Sequence, residues 1–380
     1  MQLRIGIDAR AAVEVPAGRG RVVRELLRAL AARTQDPHRY VLYARTAWEQ
    51  PLDERFSWRL LDGRDPLWHV RAARAANREC DVFLSSNSYL TSSFLRIPCV
   101  PIVYDLATFV PSMRPNRRSR AIERVTLGPA VRRSAALLAI SQATKEALVE
   151  RFPAAASRTV VAPLGVAPAL NGGLDAQEAA LLPAPGFVLA VGTLEPRKNL
   201  PRLVAAYGAL EGALQERHPL VVVGALGWET GPTLHALRSL GERCTMLGYV
   251  SDTALAELYR RCAVFCYPSL GEGFGLPVLE AMAAGAAVLT SGVSSLPEVG
   301  GRAVAYADPT RVDDIASQLG ALLRDDARRA QLSALATARA REFSWARFAQ
   351  TTLATLEDAA GYGAQPPVAV PAEREAVARR

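Results

Sequence analysis

Short apolar runs alternate with amphipathic stretches along most of the chain. In the first half, strand patterns occur at 3–7, 40–43, 81–85, 100–104, 137–140 and 160–162, and helical periodicity occupies 19–33, 65–77, 116–134 and 142–151. Strands that alternate with helices in this way predict a parallel sheet with helices on both faces.

The same alternation begins again in the second half. Its strand patterns lie at 187–191, 220–223, 264–267 and 287–290, its helical patterns at 199–211, 232–240, 252–261 and 277–284, and 311–356 has a helical pattern throughout. We therefore predict an α/β chain with two Rossmann-like, doubly wound domains that face each other across a cleft. The predicted division is an N-terminal domain at 1–170, a linker rich in Gly, Pro and Ala at 171–186, a C-terminal domain at 187–343, a helix at 344–361 that returns to the N-terminal domain, and a disordered tail at 362–380.

Composition narrows the class of protein. The 380 residues are 50% hydrophobic and 22% charged, which excludes a largely disordered or coiled-coil chain. No apolar run reaches the ~18 residues that span a bilayer, and the first residues lead directly into a strand pattern, so we expect a cytoplasmic protein. The five cysteines are scattered without the paired spacing of a zinc site, which predicts free thiols and no metal.

Positive charge is concentrated in the first half of the chain. Residues 1–184 hold 26 of the 45 basic residues and 17 of the 37 acidic ones. Such a field suits nucleic acid, anionic lipid or a phosphorylated substrate, but no helix-turn-helix, RNP or zinc-finger pattern supports nucleic acid. One segment contains Arg114, Arg117, Arg118, Arg120, Arg124, Arg132 and Arg133 against a single acid, Glu123. These arginines form either a solvated helix face or a contact with the anionic inner face of the plasma membrane.

A glycine-punctuated loop carries the clearest chemistry. It joins a buried strand to a helix that begins near Pro277, and proline suits a first helical turn. Gly273 and Gly275 let a ligand approach the peptide N–H groups of the loop. Glu272 in the loop and Glu280 one turn into the helix are spaced to face one crevice, where carboxylates accept hydrogen bonds from sugar diols.

Two adjacent cations follow another strand end. Arg197 and Lys198 come after the strand that ends near Gly192, before a helix that Asn199 or a neighbour can cap. Lys198 is one of only two lysines in the chain. We interpret the pair as a diphosphate site, because an arginine fork and a compact ammonium neutralise the charge that develops when a sugar diphosphate breaks its glycosidic bond.

These segments resemble the glycosyltransferase group 1 family, also called family 4. The resemblance rests on Val-Gly-Thr-Leu-Glu-Pro-Arg-Lys-Asn-Leu at 191–200 and Glu-Gly-Phe-Gly-Leu-Pro-x-Leu-Glu at 272–280, with shorter matches across most of the chain. It implies the GT-B fold and transfer of a sugar from a nucleotide donor with retention of anomeric configuration. It also implies that no cofactor and no metal are needed, the nucleotide sugar being a substrate.

The resemblance further implies roles for individual residues. Glu280 would bind the donor ribose, while Glu272 and the N–H groups of Phe274, Gly275 and Leu276 would hold the hexose hydroxyls. Arg197 and Lys198 would bind the diphosphate. The other implied donor-site residues are Gly192 at the strand end, Gly248, Tyr249 and Val250 in the nucleobase slot, and Gly20, which would approach the phosphates from the first domain.

One position departs from the family pattern. Many relatives carry His-Asp at the end of a first-domain strand, whereas this chain has Tyr104-Asp105. A phenol with a pKa of ~10 is a poor base but a good hydrogen-bond donor. The retaining reaction is often described as a same-face displacement that needs no enzymic base. Tyr104 and Asp105 join Arg197, Lys198 and Glu272 in the predicted catalytic set, although Asp105 is equally consistent with an ordinary turn acid.

The leading hypothesis is a retaining hexosyltransferase that moves mannose from GDP-mannose to a saccharide or lipid-linked saccharide in cell-surface polysaccharide synthesis. A UDP-hexose or dTDP-rhamnose donor is the alternative within the same reaction. A catalytically silent scaffold that binds a nucleotide sugar is the alternative from another class. A dinucleotide oxidoreductase is excluded because no GxGxxG follows an early strand.

Overall fold

The computed structural model describes residues 2–16, 18–110, 117–166, 174, 178–179 and 182–361. The side chains of residues 117–119 are outside this description. The predicted linker at 171–186 lies partly outside the described residues, and the predicted tail at 362–380 lies wholly outside them.

The first domain is built on a seven-stranded parallel sheet. Its strands are β1 (Arg4–Asp8), β2 (Arg39–Ala44), β3 (Phe56–Leu60), β4 (Val82–Ser85), β5 (Cys99–Val103), β6 (Leu137–Ala139) and β7 (Thr159–Val161). Its helices are α1 (Arg10–Glu14), α2 (Arg19–Ala31), α3 (Leu67–Glu79), α4 (Arg117–Arg133) and α5 (Gln142–Arg151). The strand order across the sheet is β3-β2-β1-β4-β5-β6-β7.

The second domain repeats this plan with six parallel strands. They are β8 (Val188–Val191), β9 (Leu220–Val223), β10 (Cys244–Gly248), β11 (Val264–Tyr267), β12 (Val288–Ser291) and β13 (Ala305–Ala307), in the order β10-β9-β8-β11-β12-β13. The helices are α6 (Leu200–Gly208), α7 (Gly212–Arg217), α8 (Gly231–Arg238), α9 (Asp252–Arg261), α10 (Leu276–Ala283), α11 (Leu296–Gly300), α12 (Val312–Arg324) and α13 (Asp326–Ala340). Strands such as β9 and β11 are buried along their whole length, which explains their continuous apolar sequences.

The last described helix, α14 (Trp345–Ala359), packs against α2, β4 and β5 of the first domain. Nε2 of His38 lies 2.9 Å from Oε1 of Glu357 at this contact. A connection from the second domain therefore ends on the first domain, where the sequence predicts a returning helix at 344–361. No helix in the described part of the chain is both long and apolar enough to cross a bilayer.

The structure confirms two doubly wound domains but adds elements that the pattern did not predict. Strands β3, β10 and β13 are missing from the prediction because they are edge or three-residue strands without a continuous buried apolar run. The predicted helical region at 311–356 is wrong as one unit, since it contains three helices. Asp325 and Ser344 separate them, and each side chain accepts a hydrogen bond from a backbone N–H of the helix that follows.

Candidate active site

A cleft of about 540 Å³ lies between the two domains. In both sheets the strand order reverses beside the first strand of the domain, at β1/β4 and at β8/β11, and open sheets bind ligands near such a reversal. The cleft is lined by residues that end strands or follow them in both domains, among them Tyr104, Ile140, Val191, Val223, Tyr249 and Tyr267. The volume is in the range that holds small ligands in proteins.

Glu272 is the centre of a buried ionic cluster in this cleft. Arg197 Nη1 is 2.5 Å from Glu272 Oε2, and Lys198 Nζ is 2.8 Å from Oε1. Although burial opposes ionisation, Arg197 and Lys198 lower the pKa of Glu272 to about 2. The carboxylate is therefore ionised throughout the neutral range and serves as counter-ion to both cations.

The two carboxylate oxygens of Glu272 accept different numbers of hydrogen bonds. Oε1 accepts hydrogen bonds from Lys198 Nζ at 2.8 Å, Tyr267 Oη at 2.8 Å and Ser269 Oγ at 2.7 Å. Oε2 accepts from Arg197 alone among the described residues. A carboxylate offers about four acceptor positions, so Oε2 is the oxygen with room for a further donor such as a sugar hydroxyl.

Arg197 is held on its other side by Glu195, a buried residue that the sequence analysis did not single out. Nη2 of Arg197 lies 2.8 Å from Oε1 of Glu195. Burial alone would lower the pKa of Arg197, but Glu272 and then Glu195 raise it above its ordinary value. Burial lowers the pKa of Lys198, against the attraction of Glu272. The pKa values of the two cations are therefore shifted in opposite directions.

Asn199 does not cap α6, contrary to the expectation that it could. It lies at the N-cap position with φ +60°, and its side chain makes no capping bond. Its amide Nδ2 instead donates to the carbonyl oxygens of Pro268 and Pro309, at 2.9 and 2.7 Å. Asn199 therefore ties the cation-bearing turn to the loop after β11, which keeps Arg197 and Lys198 close to Glu272.

The predicted glycine loop lies where the two domains touch. A Cβ on Gly273 would stand 1.8 Å from the carbonyl oxygen of Tyr104, so only glycine permits this approach. Oγ1 of Thr144, also from the first domain, donates to the Gly273 carbonyl at 3.1 Å. The backbone N–H groups of residues 274–276 have no acceptor among the described residues, and Phe274, Gly275 and Leu276 all line the cleft. These N–H groups are free to bind a ligand.

Glu280 in α10 contacts both domains. Arg21 Nη1 from α2 is 2.7 Å from Glu280 Oε1, and Tyr259 Oη donates to Oε2 at 3.3 Å. Burial raises the pKa of Glu280 above its ordinary value, which Arg21 offsets only in part, and Asp252 raises it further. Glu280 and Glu272 thus line one cleft, with their pKa values shifted in opposite directions.

The first-domain side of the cleft includes Tyr104, Asp105 and Arg19. The Tyr104 hydroxyl donates to the carbonyl oxygen of Ser86 at 2.7 Å, and burial raises its pKa. The guanidinium carbon of Arg19 is 5.2 Å from the centre of the Tyr104 ring. Asp105 Oδ1 accepts from the Ala107 N–H at 3.0 Å, as a turn acid does. The Tyr104 hydroxyl is therefore hydrogen-bonded to the backbone of the protein. Asp105 accepts a hydrogen bond within a turn and also lines the cleft.

Gly20 does not approach the cleft as the sequence predicts. A Cβ there would lie 1.7 Å from the carbonyl oxygen of Val15, so the glycine permits close packing of α2 on the end of α1. Its neighbours Gly18, Arg19 and Arg21 line the cleft. The other predicted donor-site residues lie nearer to expectation: Gly192, Tyr249 and Val250 line the cleft, and Gly248 immediately precedes them at the end of β10.

Sequence reasoning missed the residues that complete these contacts. Arg21 and Arg19 are two arginines in an arginine-rich chain, so nothing in the local sequence distinguishes them from arginines that are exposed to solvent. Tyr267 and Ser269 donate hydrogen bonds to Glu272. Their position, where a strand pattern ends beside the glycine loop, is the sequence signal that could have indicated them.

Comparison with known proteins decides the family. The models described as glycosyl transferases group 1 and glycosyltransferase family 4 match residues 175–339 and 16–170. O-antigen chain mannosyltransferase B of Escherichia coli is 34% identical in an alignment over 304 residues that covers 76% of this chain and 76% of the relative. This chain belongs to the group 1, or family 4, glycosyltransferases. The family predicted from the sequence is thereby confirmed.

Two further likenesses place the glycosyltransferase among known proteins. The serotype-specific mannosyltransferase WbdA of Escherichia coli is 40% identical over 175 residues, which cover 44% of this glycosyltransferase and 21% of WbdA. The crystal structure of HepE from Anabaena in complex with UDP-glucose has a TM-score of 0.74 at 18% identity, covering 94% of this glycosyltransferase and 100% of HepE. At that identity the likeness concerns the fold alone, and it agrees with the predicted GT-B architecture.

Proposed function

We propose that this glycosyltransferase transfers mannose from GDP-mannose, with retention of configuration, to a saccharide or lipid-linked saccharide of a cell-surface polysaccharide. The observation that carries the proposal is that Arg197, Lys198, Glu272 and Glu280 line one interdomain cleft. The choice of mannose is supported by the relatives named as O-antigen and serotype-specific mannosyltransferases. A UDP-hexose or dTDP-rhamnose is the competing donor.

The contacts in the cleft suggest how a donor binds. The diphosphate takes the cationic side formed by Arg197 and Lys198, and the ribose diol donates to Glu280. A hexose hydroxyl donates to Oε2 of Glu272, the oxygen with a single partner among the described residues, while the N–H groups of residues 274–276 bind other hexose oxygens. In this arrangement Arg197 and Lys198 exchange part of their pairing with Glu272 for the phosphate oxygens.

Bond exchange then takes place on one face of the sugar. The acceptor oxygen bonds to the anomeric carbon, the bond from that carbon to the diphosphate oxygen breaks, and the departing oxygen takes the acceptor's proton. Arg197 and Lys198 stabilise the charge that grows on the leaving group. The Tyr104 hydroxyl, bonded to the Ser86 carbonyl, takes no part as a base. The two cations supply counter-charge at the diphosphate, so we propose that transfer is insensitive to EDTA.

The acceptor approaches from the first domain. Asp105 lines the cleft there, and Glu123 of α4 interacts electrostatically with both Asp105 and Arg19. Oε2 of Glu123 accepts a hydrogen bond from Thr108, while the buried Oε1 has no partner among the described residues. Asp105 and Arg19, which line the cleft and interact with Glu123, form a polar wall suited to the hydroxyl groups of a saccharide acceptor.

We further propose contact with an anionic membrane at the inner face of the plasma membrane. On α4, Ile122 and Val125 are 50% and 73% exposed, and Arg120 and Arg124 belong to the same helix. Arg114 and the side chains of Arg117 and Arg118 lie outside the described residues. Exposed apolar and basic groups on one helix favour an anionic interface. Co-sedimentation with anionic vesicles should fall with added salt and in an I122S/V125S variant, and absence of salt-sensitive binding would refute the contact.

The decisive experiment offers GDP-mannose, UDP-glucose and dTDP-rhamnose in separate reactions to the purified enzyme with a mannose-bearing acceptor. We expect release of GDP and an α-linked mannose product, with the linkage assigned by NMR. Preference for another donor would change the proposed substrate, and a β-linked product from GDP-mannose would contradict retention. A silent scaffold would show donor-dependent thermal stabilisation but release no nucleoside diphosphate from any donor.

A further inference from the structure

Arg21 links the two domains through charge. It lies in the first turn of α2, and its Nη1 is 2.7 Å from Oε1 of Glu280 in α10 of the second domain. Within the part of the chain that the structure describes, no other arginine or lysine of residues 2–166 pairs with a carboxylate of residues 182–343. The contact is largely shielded, since the side chains of Arg21 and Glu280 are 18% and 13% exposed.

The contact occupies the carboxylate that the donor ribose needs. Arg21 binds Oε1 of Glu280 and Tyr259 binds Oε2, so each oxygen already has one donor and about two of the four acceptor positions of the carboxylate remain. A vicinal diol donates two hydrogen bonds, one to each oxygen of a carboxylate. Tyr259 approaches from α9 behind Glu280, whereas Arg21 lines the cleft. Of the two donors to Glu280, Arg21 is the one among the residues that line the cleft, so it is the donor that a ribose bound there would meet.

A second acid is within reach of the same guanidinium. Asp252 Oδ1, at the start of α9, lies 4.0 Å from Arg21 Nη1, and its side chain is 56% exposed. Asp252 follows Tyr249 and Val250 of the predicted nucleobase slot closely in the chain and also lines the cleft. A guanidinium that leaves Glu280 thus finds a carboxylate of the same domain without a large displacement.

We propose that Arg21 exchanges partners when the donor binds. In the empty enzyme it holds Glu280; when the ribose hydroxyls donate to Glu280, the guanidinium moves to Asp252. This inference rests on the proposed role of Glu280 as the ribose ligand. Arg21 is then a positioning residue: it competes with the ribose for Glu280 and, through Asp252, keeps the first domain attached to the second while the nucleotide is bound.

Titration calorimetry with GDP and 2′,3′-dideoxy-GDP tests the exchange. The Arg21→Gln variant removes the competitor, so GDP should bind about three- to tenfold more tightly than to the wild type. The dideoxy compound cannot donate to Glu280, and its affinity should not rise. Arg28→Gln is the matched control, because Arg28 lies on the same helix and pairs with Glu25 and Gln50, not with Glu280. It should leave both affinities unchanged.

The role of Asp252 is tested by a double-mutant cycle. Asp252→Asn should weaken GDP binding about threefold or more when Arg21 is present, because the displaced guanidinium loses its second partner. The same change should have no effect in the Arg21→Gln background. Circular dichroism melts of each variant establish that it is folded before titration.

The outcomes separate the two proposals. If the wild type binds GDP and its dideoxy analogue equally, Glu280 is not the ribose ligand, and the proposed donor site and the exchange both fail. If the wild type prefers the ribose compound but Arg21→Gln weakens GDP binding, leaves it unchanged, or strengthens both ligands alike, the exchange alone is overturned. Additive effects of the Arg21 and Asp252 substitutions would also overturn it.

Discussion

Replacing Lys198 by methionine tests the proposed role of its charge in stabilising the leaving group. The substitution keeps an apolar stem of similar length beside Gly192 and removes the ammonium that lies 2.8 Å from Glu272 Oε1. Glu272 retains Arg197, Tyr267 and Ser269, so the loss of one charged partner should destabilise the fold by about 1–3 kcal/mol, and not by the larger amount expected when a buried charge is left alone. Thermal unfolding measures this change.

The effect on catalysis should be larger. Loss of one preorganised group that stabilises transition-state charge lowers kcat by about 10²–10³, equivalent to about 2.7–4 kcal/mol. Initial rates of nucleoside diphosphate release at saturating donor and acceptor measure it. Lys145→Met is the matched control, because Lys145 is the other lysine of the chain and lies on α5. If kcat of Lys198→Met stays within about threefold of the wild type, Lys198 does not stabilise the departing diphosphate. A change confined to KM would mean that ground state and transition state are bound equally.

Three further substitutions test individual contacts. Gly273→Ala puts a methyl group about 1.8 Å from the Tyr104 carbonyl oxygen, which should force the domains apart and lower kcat/KM about tenfold or more in steady-state assays; normal kinetics would contradict this close approach. Tyr104→Phe removes the bond to Ser86, so unfolding should show a loss of about 0.5–1.5 kcal/mol with kcat nearly unchanged, and a large fall in kcat would refute the structural role. Glu280, with its raised pKa, should gain a proton on acidification before Glu272 does, so GDP affinity should fall as the pH is lowered from neutral; Glu280→Gln should bind weakly with a smaller pH dependence, and an unchanged slope would refute the assignment.

How well each strand could be predicted from the sequence depends on how completely its side chains are buried. Strands with both faces covered, such as β9 and β11, carry continuous apolar runs, and their sequences alone indicate them. At the edge of the second sheet, β10 exposes Thr245 and Met246, so its sequence lacks that signal. The helices after residue 311 could not be divided from periodicity alone, because their boundaries depend on capping by Asp325 and Ser344.

The candidate site divides in the same way, according to how local its contacts are. Glu272 and Glu280 flank one loop, and Arg197 and Lys198 are neighbours in the chain, so short motifs indicate both groups. Arg21 acquires its partner 259 residues away, and Gly20 serves helix packing although it belongs to a glycine-bearing loop. The role of Arg21 depends on the relative placement of two domains and that of Gly20 on the packing of two neighbouring helices, and no short motif encodes either.

That placement bears on where the reaction occurs. The domains approach closely at Gly273, adjacent to the carboxylate that pairs with Arg197 and Lys198, and Asp105 follows Tyr104 on the opposite side. A sugar held by the N–H groups of residues 274–276 would therefore lie beside this junction with the first domain. Because transfer to water competes with transfer to the acceptor, a close junction at this point favours the acceptor hydroxyl. On this reasoning Gly273→Ala should raise the share of donor hydrolysis relative to transfer, and not only slow the enzyme.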